Sequence, residues 1–116
     1  MRFEIWSSMS NFKLQTSNFK FVSMNIKILT PEYVVFEGEV DSVLLPGKNG
    51  EFHIMKNHAG IVSSLIGGEV KLFANSIDEA FAKNFTKESG KDSVFAYAIK
   101  SGVVEFNHNK GIILCE

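Results

Sequence analysis

The residues most able to do chemistry in this sequence are Glu51, His53 and His58, which lie within the segment 44–60. Carboxylate and imidazole groups bind zinc or iron, and cupin-type β-sandwiches hold such metals with His and Glu on neighbouring strands. Sites of that kind need two His one residue apart, then a downstream Glu and another His. Only His53 is expected to project from a strand here. The spacing therefore argues against a metal site.

Two other arrangements would indicate nucleophilic catalysis or phosphate binding. Cys115 follows the apolar run "IIL" and is expected to be a small buried hydrophobe rather than half of a Cys–His pair. Gly47, Gly50, Gly67 and Gly68 form no phosphate loop, because no Gly-Lys-Ser/Thr follows them and no helix opens after them. We therefore expect no catalytic residue, no metal and no cofactor.

The composition favours one globular domain. The 116 residues include 45% hydrophobic and 22% charged side chains. A chain of this length buries roughly two thirds of the surface that it exposes when unfolded, so we expect the domain to fold without metals or disulfides. The net charge is -1 and Lys and Glu are scattered, so nucleic acid is not an expected partner. No apolar run approaches the ~20 residues that span a bilayer, so we expect no direct membrane insertion.

From Met24 onward, short β-branched and aromatic runs alternate with clusters of Gly, Asn, Lys and Ser. This pattern predicts an all-β fold, an antiparallel β-sandwich of about 8 to 10 short strands. The stretch "NIKIL" (25–29) places Ile26 and Ile28 on one face of a half-buried strand. Three further strands are predicted at 94–99, 102–106 and 111–115.

The segments between these runs predict turns and one ambiguous region. Gly38 indicates a turn or bulge, and the turn-forming residues at 46–50 join two strands, the second with Phe52 and Ile54 opposite Glu51 and His53. The pair Gly67-Gly68 predicts a tight hairpin.

The polar interval 74–93 is open to two interpretations. The stretch "SIDEAFAKN" predicts a short helix in which Ser76 is the N-cap and Glu79 completes a capping box. A long hairpin with a mobile loop fits the same residues.

Several motifs occur in an order that resembles a known family. "ILTPE", "FEGEVDSVLLPG", "GEF", the His-Ala pair at 58–59 and "SGVVEF" resemble the amino-terminal β-sandwich domain of the epsilon subunit of F-type ATP synthase. The resemblance covers residues 24–116. Residues 1–23 lack it and lack a secretory h-region. We interpret 1–23 as a non-conforming extension, either disordered or an upstream start assigned in error.

The resemblance implies a non-catalytic rotor subunit of the short form. In that family the sandwich lies at the foot of the central stalk, where one side binds the gamma subunit and the lower loops rest on the ring of membrane c subunits. Torque from proton flow passes through this joint during ATP synthesis. In long forms a carboxy-terminal helical pair inhibits ATP hydrolysis, and in some members it binds ATP; we expect no counterpart of it here. The resemblance therefore implies no inhibitory arm and no nucleotide binding.

The implied position is peripheral, on the cytoplasmic side of the energy-coupling (inner) membrane, through partner subunits. Glu51 and His58 match family residues on the lip that meets the c ring, and Gly47 and Gly50 are expected to shape that lip. The alternative for Glu51 is a solvated carboxylate beside buried Phe52. The alternative for His58 is a loop residue hydrogen-bonded to a nearby carbonyl.

Three points depart from the family or stay open. The segment Lys56–Gly60 lacks both prolines of the family loop, which predicts a less rigid loop. The segment 74–93 is longer than we expect between the matching strands of the family. Gamma should bind an exposed apolar face, but the residues do not say which face, and Phe36, Val43, Leu45 and Ile61 fit the core equally well. A cupin-like metal-dependent enzyme or ligand-binding module, and an interaction domain with another partner, remain the alternatives.

Overall fold

A computed structural model describes residues 24–87 and 93–116, so the interpretation of 1–23 lies outside the described residues. The described part is an all-β structure with one short helix, which confirms the predicted fold class. The strands are β1 (Met24–Leu29), β2 (Val34–Val40), β3 (Ser42–Gly47), β4 (Gly50–Met55), β5 (Ile61–Leu65), β6 (Gly68–Phe73), β7 (Thr86–Lys87), β8 (Val94–Ile99), β9 (Gly102–Asn107) and β10 (Lys110–Cys115); the helix is α1 (Glu79–Ala82). No described helix is long and apolar enough to span a bilayer.

The strands form two five-stranded sheets joined at one corner. Sheet I has the order β2-β1-β10-β9-β5, and sheet II has the order β4-β3-β6-β8-β7. The corner is a single pairing of Gly47 on β3 with Leu65 on β5. The described pairings are antiparallel except for β1 with β10, which run parallel from Asn25–Lys110 to Leu29–Leu114. The predicted antiparallel sandwich therefore contains one parallel pair, which the sequence did not indicate.

Alternating side chains build one core between the sheets. Ile26 and Ile28 are buried while Asn25 is exposed, as the pattern of "NIKIL" predicts. Phe36 of sheet I and Val43 and Leu45 of sheet II belong to the same buried cluster. Each such side chain contributes about 1.5–3 kcal/mol by leaving water. The two sheets are therefore held together as one body.

The predicted hairpin at Gly67-Gly68 is wrong. β5 and β6 do not pair with each other, because β5 pairs with β9 in sheet I and β6 pairs with β3 and β8 in sheet II. Gly68 instead lets the chain pass close to β3, because a Cβ on Gly68 would lie 2.9 Å from the Pro46 Cβ. The chain thus changes sheets at a place that a larger residue would block.

The turn or bulge predicted at Gly38 is also wrong. Gly38 lies within β2 opposite Ile26, and the register shift between these strands falls at Ile28/Leu29. A Cβ on Gly38 would lie 3.1 Å from the Phe36 ring, which occupies the space that a side chain would fill. This glycine makes room for a core ring.

The segment 74–87 contains both a helix and a strand. The N-cap of α1 is Asp78 rather than Ser76, and Asp78 Oδ1 accepts a hydrogen bond from Ala80 N at 2.9 Å. The rings of Phe81 and Phe85 each lie 5.8 Å from that of Phe36. The region ends in β7, which pairs with β8, and residues 88–92 lie outside the described chain.

The same segment covers the free edge of sheet I. Asn84 Nδ2 donates to the carbonyl oxygen of Val35 on the edge strand β2 at 3.0 Å. Exposed strand edges invite pairing with other chains, and natural proteins cover or charge them. Asn84 therefore gives the edge strand β2 a partner that the sequence did not reveal.

Candidate functional site

The turn between β3 and β4 needs glycine at two positions for two different reasons. Gly47 is buried, and a Cβ there would lie 2.7 Å from the Phe52 ring and 2.8 Å from the Gly50 carbonyl oxygen. Gly50 has open space around it but a φ of 120°, which residues with a Cβ rarely adopt. Between them Lys48 and Asn49 are exposed. The turn presents polar groups on a tightly fixed backbone.

Further glycines lie at the same end of the sandwich. Gly47 pairs with Leu65, Leu65 pairs with Gly102, and Gly68 packs on Pro46 beside them. We call the set Gly47, Gly50, Gly67, Gly68 and Gly102 the glycine end. Its shape depends on close backbone approaches.

Glu51 begins the exposed face of β4 next to this turn. Its carboxylate is exposed and alternates with half-buried Phe52, as the sequence predicts. His53, on the same face, has its Nε2 3.0 Å from Ser42 Oγ and its ring 5.0 Å from that of Phe73. His53 is therefore engaged with its own sheet.

His58 lies at the other end of β4. Its backbone N donates to Met55 O at 3.0 Å, and its Nδ1–H donates to Ala59 O at 2.6 Å. His58 therefore has the contacts of the second interpretation from the sequence, a loop residue hydrogen-bonded to a nearby carbonyl. Along β4, the Cα atoms of Glu51 and Met55 are about 13 Å apart at ~3.3 Å per residue. The structure thus brings Gly47, Gly50 and Glu51 together but places His58 elsewhere.

Asn57, which precedes His58, is hydrogen-bonded to Asn109, and sequence reasoning missed this pair. Asn57 N donates to Asn109 Oδ1 at 2.6 Å, and Asn109 Nδ2 donates to Asn57 Oδ1 at 3.2 Å. Both residues have positive φ, 66° and 60°, a conformation that asparagine tolerates. Asn109 O also accepts from Asn25 N at 2.9 Å.

We call Asn57, Asn107 and Asn109 the asparagine end of the sandwich. The loop Lys56–Gly60 belongs to this end, and its Asn57 is hydrogen-bonded to Asn109 in the turn between β9 and β10. Asparagines flanking short turns were the available signal in the sequence. The lower rigidity predicted for the loop stays a prediction.

The described residues are expected to hold a metal only if the cupin-like alternative applies. They contain no group of three His, Cys, Asp or Glu side chains placed to hold a metal ion. Cys115 is buried, its thiol lies 3.6 Å from Leu29 O, and burial raises the pKa of that thiol. A neutral, buried thiol is a poor nucleophile. The geometry gives no support to the cupin-like alternative.

A pair of tyrosines was also missed. The hydroxyl oxygens of Tyr33, in the loop after β1, and Tyr97, on β8, are 3.3 Å apart. Burial and this hydrogen bond raise the pKa of Tyr97 to about 12. The pair links the connection leaving β1 to sheet II.

Comparison with known proteins gives a family match that includes all the described residues. The model of the ATP synthase delta/epsilon chain β-sandwich domain matches residues 23–116. The ATP synthase epsilon chain of Chlorobium limicola is 34% identical over 94 residues, which are 81% of this chain and 90% of that one. The epsilon chain of Campylobacter jejuni is 49% identical over 49 residues, 42% of this chain and 38% of that protein.

A solved structure has a similar fold at low identity. It is the Tetrahymena thermophila mitochondrial ATP synthase, central stalk and c ring, with a TM-score of 0.57 and 14% identity. The match covers 81% of this chain and 63% of that one. At this identity the likeness supports the β-sandwich architecture alone.

Proposed function

Because the chain belongs to the ATP synthase delta/epsilon chain family through its β-sandwich domain, we propose that it is a central-stalk rotor subunit. In this role it joins the gamma subunit to the membrane c ring during proton-driven ATP synthesis and catalyses no reaction itself. The observation that carries the proposal is the family match over residues 23–116. The proposed position is peripheral, on the cytoplasmic side of the energy-coupling membrane, held by partner subunits.

The physical requirement for this role is stiffness between two contacts. The buried cluster includes side chains from both sheets, so shear between the sheets would expose core residues such as Phe36, Leu45 and Phe106 to water. The corner pairing of Gly47 with Leu65 adds a backbone link at the glycine end. Such a body transmits torque with little internal deformation, because close-packed interiors transmit strain.

We assign the c-ring contact to the turn of Gly47, Gly50 and Glu51. The turn is polar and exposed at Lys48, Asn49 and Glu51, which suits contact with polar loops. Exposed ion pairs contribute ~0 to 1 kcal/mol, so Glu51 would set the register of the contact rather than its strength. His58 joins this contact only if the partner reaches about 13 Å along β4.

Co-expression with the gamma subunit and c ring of the same organism tests the proposed function. We expect the chain to co-purify with gamma as a stable complex and to raise the amount of gamma retained on the isolated ring. A chain that elutes alone, and leaves gamma retention unchanged, would contradict the proposal. An unrelated β-sandwich of similar size and charge is the control for non-specific retention.

A further inference from the structure

The turn between β3 and β4 places an asparagine directly before a glycine. Asn49-Gly50 is the single Asn-Gly step in the sequence, since the other asparagines precede Phe, Ile, His, Ser or Lys. Asn49 and Gly50 are exposed, and so are Lys48 and Glu51 on either side of them. Water therefore reaches the whole tip of this turn.

An asparagine side chain can react with the backbone of the residue that follows it. The backbone nitrogen of that residue, after losing its proton to hydroxide, attacks Cγ of the side-chain amide. A new C–N bond forms, the Cγ–Nδ2 bond breaks, and Nδ2 takes a proton from water and leaves as ammonia. The product is a cyclic succinimide. One water then opens the ring at either carbonyl and gives aspartate or isoaspartate, so the reaction needs no oxidant or reductant.

The structure at Gly50 leaves the attacking nitrogen unshielded. A side chain on the attacking residue hinders the approach of its nitrogen to Cγ, and Gly50 has no side chain. A Cβ built at Gly50 would meet no atom within 4 Å apart from its chain neighbours, so the space beside this nitrogen is open. Gly50 also has a φ of 120°, and glycine moves readily between positive and negative φ. The backbone can therefore turn the Gly50 nitrogen towards the Asn49 amide.

Other described asparagines lack this combination of features. The side chains of Asn57 and Asn109 are hydrogen-bonded to each other at 3.2 Å, and Asn84 Nδ2 donates to Val35 O at 3.0 Å. An engaged amide must break its hydrogen bond before it reacts, and each of these three asparagines precedes a residue with a Cβ. Asn75 is exposed but precedes serine, so it is the internal comparison for Asn49.

From these observations we propose that Asn49 is a site of spontaneous modification, and that its conversion to isoaspartate displaces the turn assigned to the c-ring contact. The inference rests on the proposed function and goes beyond it by naming a chemical change that weakens this contact. Isoaspartate inserts one extra backbone carbon, which lengthens the chain by about 1.5 Å. Only two residues separate the paired Gly47 and Gly50, so the turn cannot absorb this length without moving. Glu51 then loses its register with the ring.

Incubation of the purified full chain at mildly alkaline pH, followed by peptide mass spectrometry, tests whether the modification occurs. We expect the peptide that contains Asn49 to lose its amide first, and a protein isoaspartyl methyltransferase to label it. The peptide that contains Asn75 should keep its amide over the same time. Gly50→Ala should slow the loss at Asn49, because the added Cβ shields the attacking nitrogen. An intact amide at Asn49 after Asn75 has reacted would overturn the proposal.

Binding of the chain–gamma complex to isolated c rings, before and after incubation, tests the effect on the contact. We expect the incubated chain to bind about 10-fold more weakly, since a displaced turn loses more than the ion pair of Glu51. Asn49→Gln, compared with itself before and after the same incubation, should show no loss. Asn49→Asp adds the charge without the extra carbon and should change the affinity by less than about 5-fold. An equal loss for Asn49→Asp would overturn the proposed displacement.

The failures of the two proposals are distinguishable. If the complex does not bind c rings before incubation, the proposed function fails and this inference fails with it. If it binds equally well with the amide and with isoaspartate at position 49, the inference is overturned and the proposed function stands. Modification should also be slower in the complex bound to c rings than in the free chain, because the ring covers the turn. Equal rates would place the turn outside the contact and overturn the inference.

Discussion

The two ends of the sandwich reach fixed geometry by opposite means. At the glycine end, the turn of Gly47 and Gly50 and the crossing at Gly68 depend on side chains being absent, because backbone or ring atoms lie within 3 Å of the missing Cβ at Gly47 and Gly68. At the asparagine end, Asn57 and Asn109 adopt the left-handed conformation, and the Asn109 side chain bonds to both the backbone N and the side chain of Asn57. One end is shaped by space and the other by hydrogen bonds.

This difference predicts different responses to substitution. Any added side chain at Gly47 must displace the Phe52 ring and the Gly50 carbonyl, so the cost is steric and insensitive to polarity. At Asn109 a substitution removes hydrogen bonds but meets no comparable obstacle, so the cost depends on what the new residue can bond and which φ it tolerates. The following predictions separate the two mechanisms, beginning with the largest effect.

Gly47→Ala is expected to destabilise the fold by about 3 kcal/mol, because overpacking a closed site forces backbone shifts. Chemical denaturation measures the loss. Gly50→Ala is the matched variant, since it meets no atom within 4 Å and bears only the positive φ. We expect Gly50→Ala to cost about 1–2 kcal/mol.

Equal costs for the Gly47 and Gly50 variants would show that φ, rather than space, dominates at the glycine end. A Gly47→Ala protein as stable as the unmodified chain would contradict the close approach to Phe52. Gly60→Ala is a control at the opposite end, where the nearest atom to the added Cβ is the side-chain Asn107 Oδ1 at 3.2 Å.

Asn109→Ala is expected to cost about 2–3 kcal/mol, as the sum of two lost side-chain hydrogen bonds and a left-handed φ that alanine disfavours. Asn109→Gly keeps the conformation and removes only the side chain, so it should cost about 1–2 kcal/mol. Chemical denaturation gives the free energy of unfolding of each variant. The difference between the two values is the cost of placing alanine in the left-handed conformation.

A double-mutant cycle of Asn57→Gly with Asn109→Gly measures the coupling between the two asparagines. Asn109→Gly removes both hydrogen bonds, whereas Asn57→Gly removes only the bond from Asn109 Nδ2 to Asn57 Oδ1 and keeps the backbone donor. We therefore expect Asn57→Gly to cost much less once Asn109→Gly is present, because the bond that it removes is already lost. Fully additive costs would mean that the asparagine end is not held by this pair.

The sequence predicts elements well where a pattern is local, and poorly where distant segments meet. The strands at 94–99, 102–107 and 110–115 follow from alternation and turn residues, with ends within one residue of the prediction. Two features do not follow from local patterns: the parallel pairing of β1 with β10, and the change of sheet at Gly67-Gly68. Both depend on which strands pair in the folded chain. Two apolar runs around a glycine pair look the same whether they form a hairpin or a crossing.

The candidate site divides in the same way. Turn chemistry at 46–50 predicted a turn that includes Gly47 and Gly50, with Glu51 on the strand that follows, and the structure confirms that placement. Grouping His58 with them ignored the length of the intervening strand, although a strand predicted from residue 50 already separates the two ends by its rise per residue. The Asn57–Asn109 contact joins residues 52 positions apart, which no local pattern indicates.

Tyr97 offers a smaller, pH-dependent test beside the glycine end. Burial first, and then the hydrogen bond that the Tyr97 hydroxyl donates to Tyr33, raise the pKa of Tyr97 from 10.0 to about 12. Because the folded pKa lies above the unfolded value, the stabilisation is fully present below pH 10 and is lost as pH rises towards 12. Tyr97→Phe should therefore lose stability less steeply in this window than the unmodified chain.

Thermal melting at steps of pH measures this slope. Tyr33→Phe is the control, because it removes the hydrogen bond but leaves Tyr97 buried, so most of the slope should remain. Parallel stability curves for the Tyr97→Phe and unmodified chains would contradict a raised pKa for this tyrosine.

The smallest expected effect compares the two ends as contacts for the c ring. Glu51→Gln should weaken binding of the chain–gamma complex to isolated c rings by about 2- to 5-fold at low salt, since an exposed ion pair contributes ~0 to 1 kcal/mol. The difference should vanish at high salt, where exposed charges are screened. His58→Gln and Glu39→Gln change exposed residues away from the 47–51 turn, Glu39 on the edge strand of sheet I, and should leave binding unchanged. Two outcomes would change the assignment of the c-ring contact. If His58→Gln weakens binding as much as Glu51→Gln, the surface that contacts the c ring must extend along the whole of β4. If only His58→Gln weakens binding, the c ring contacts the asparagine end, and the assignment to the 47–51 turn is wrong.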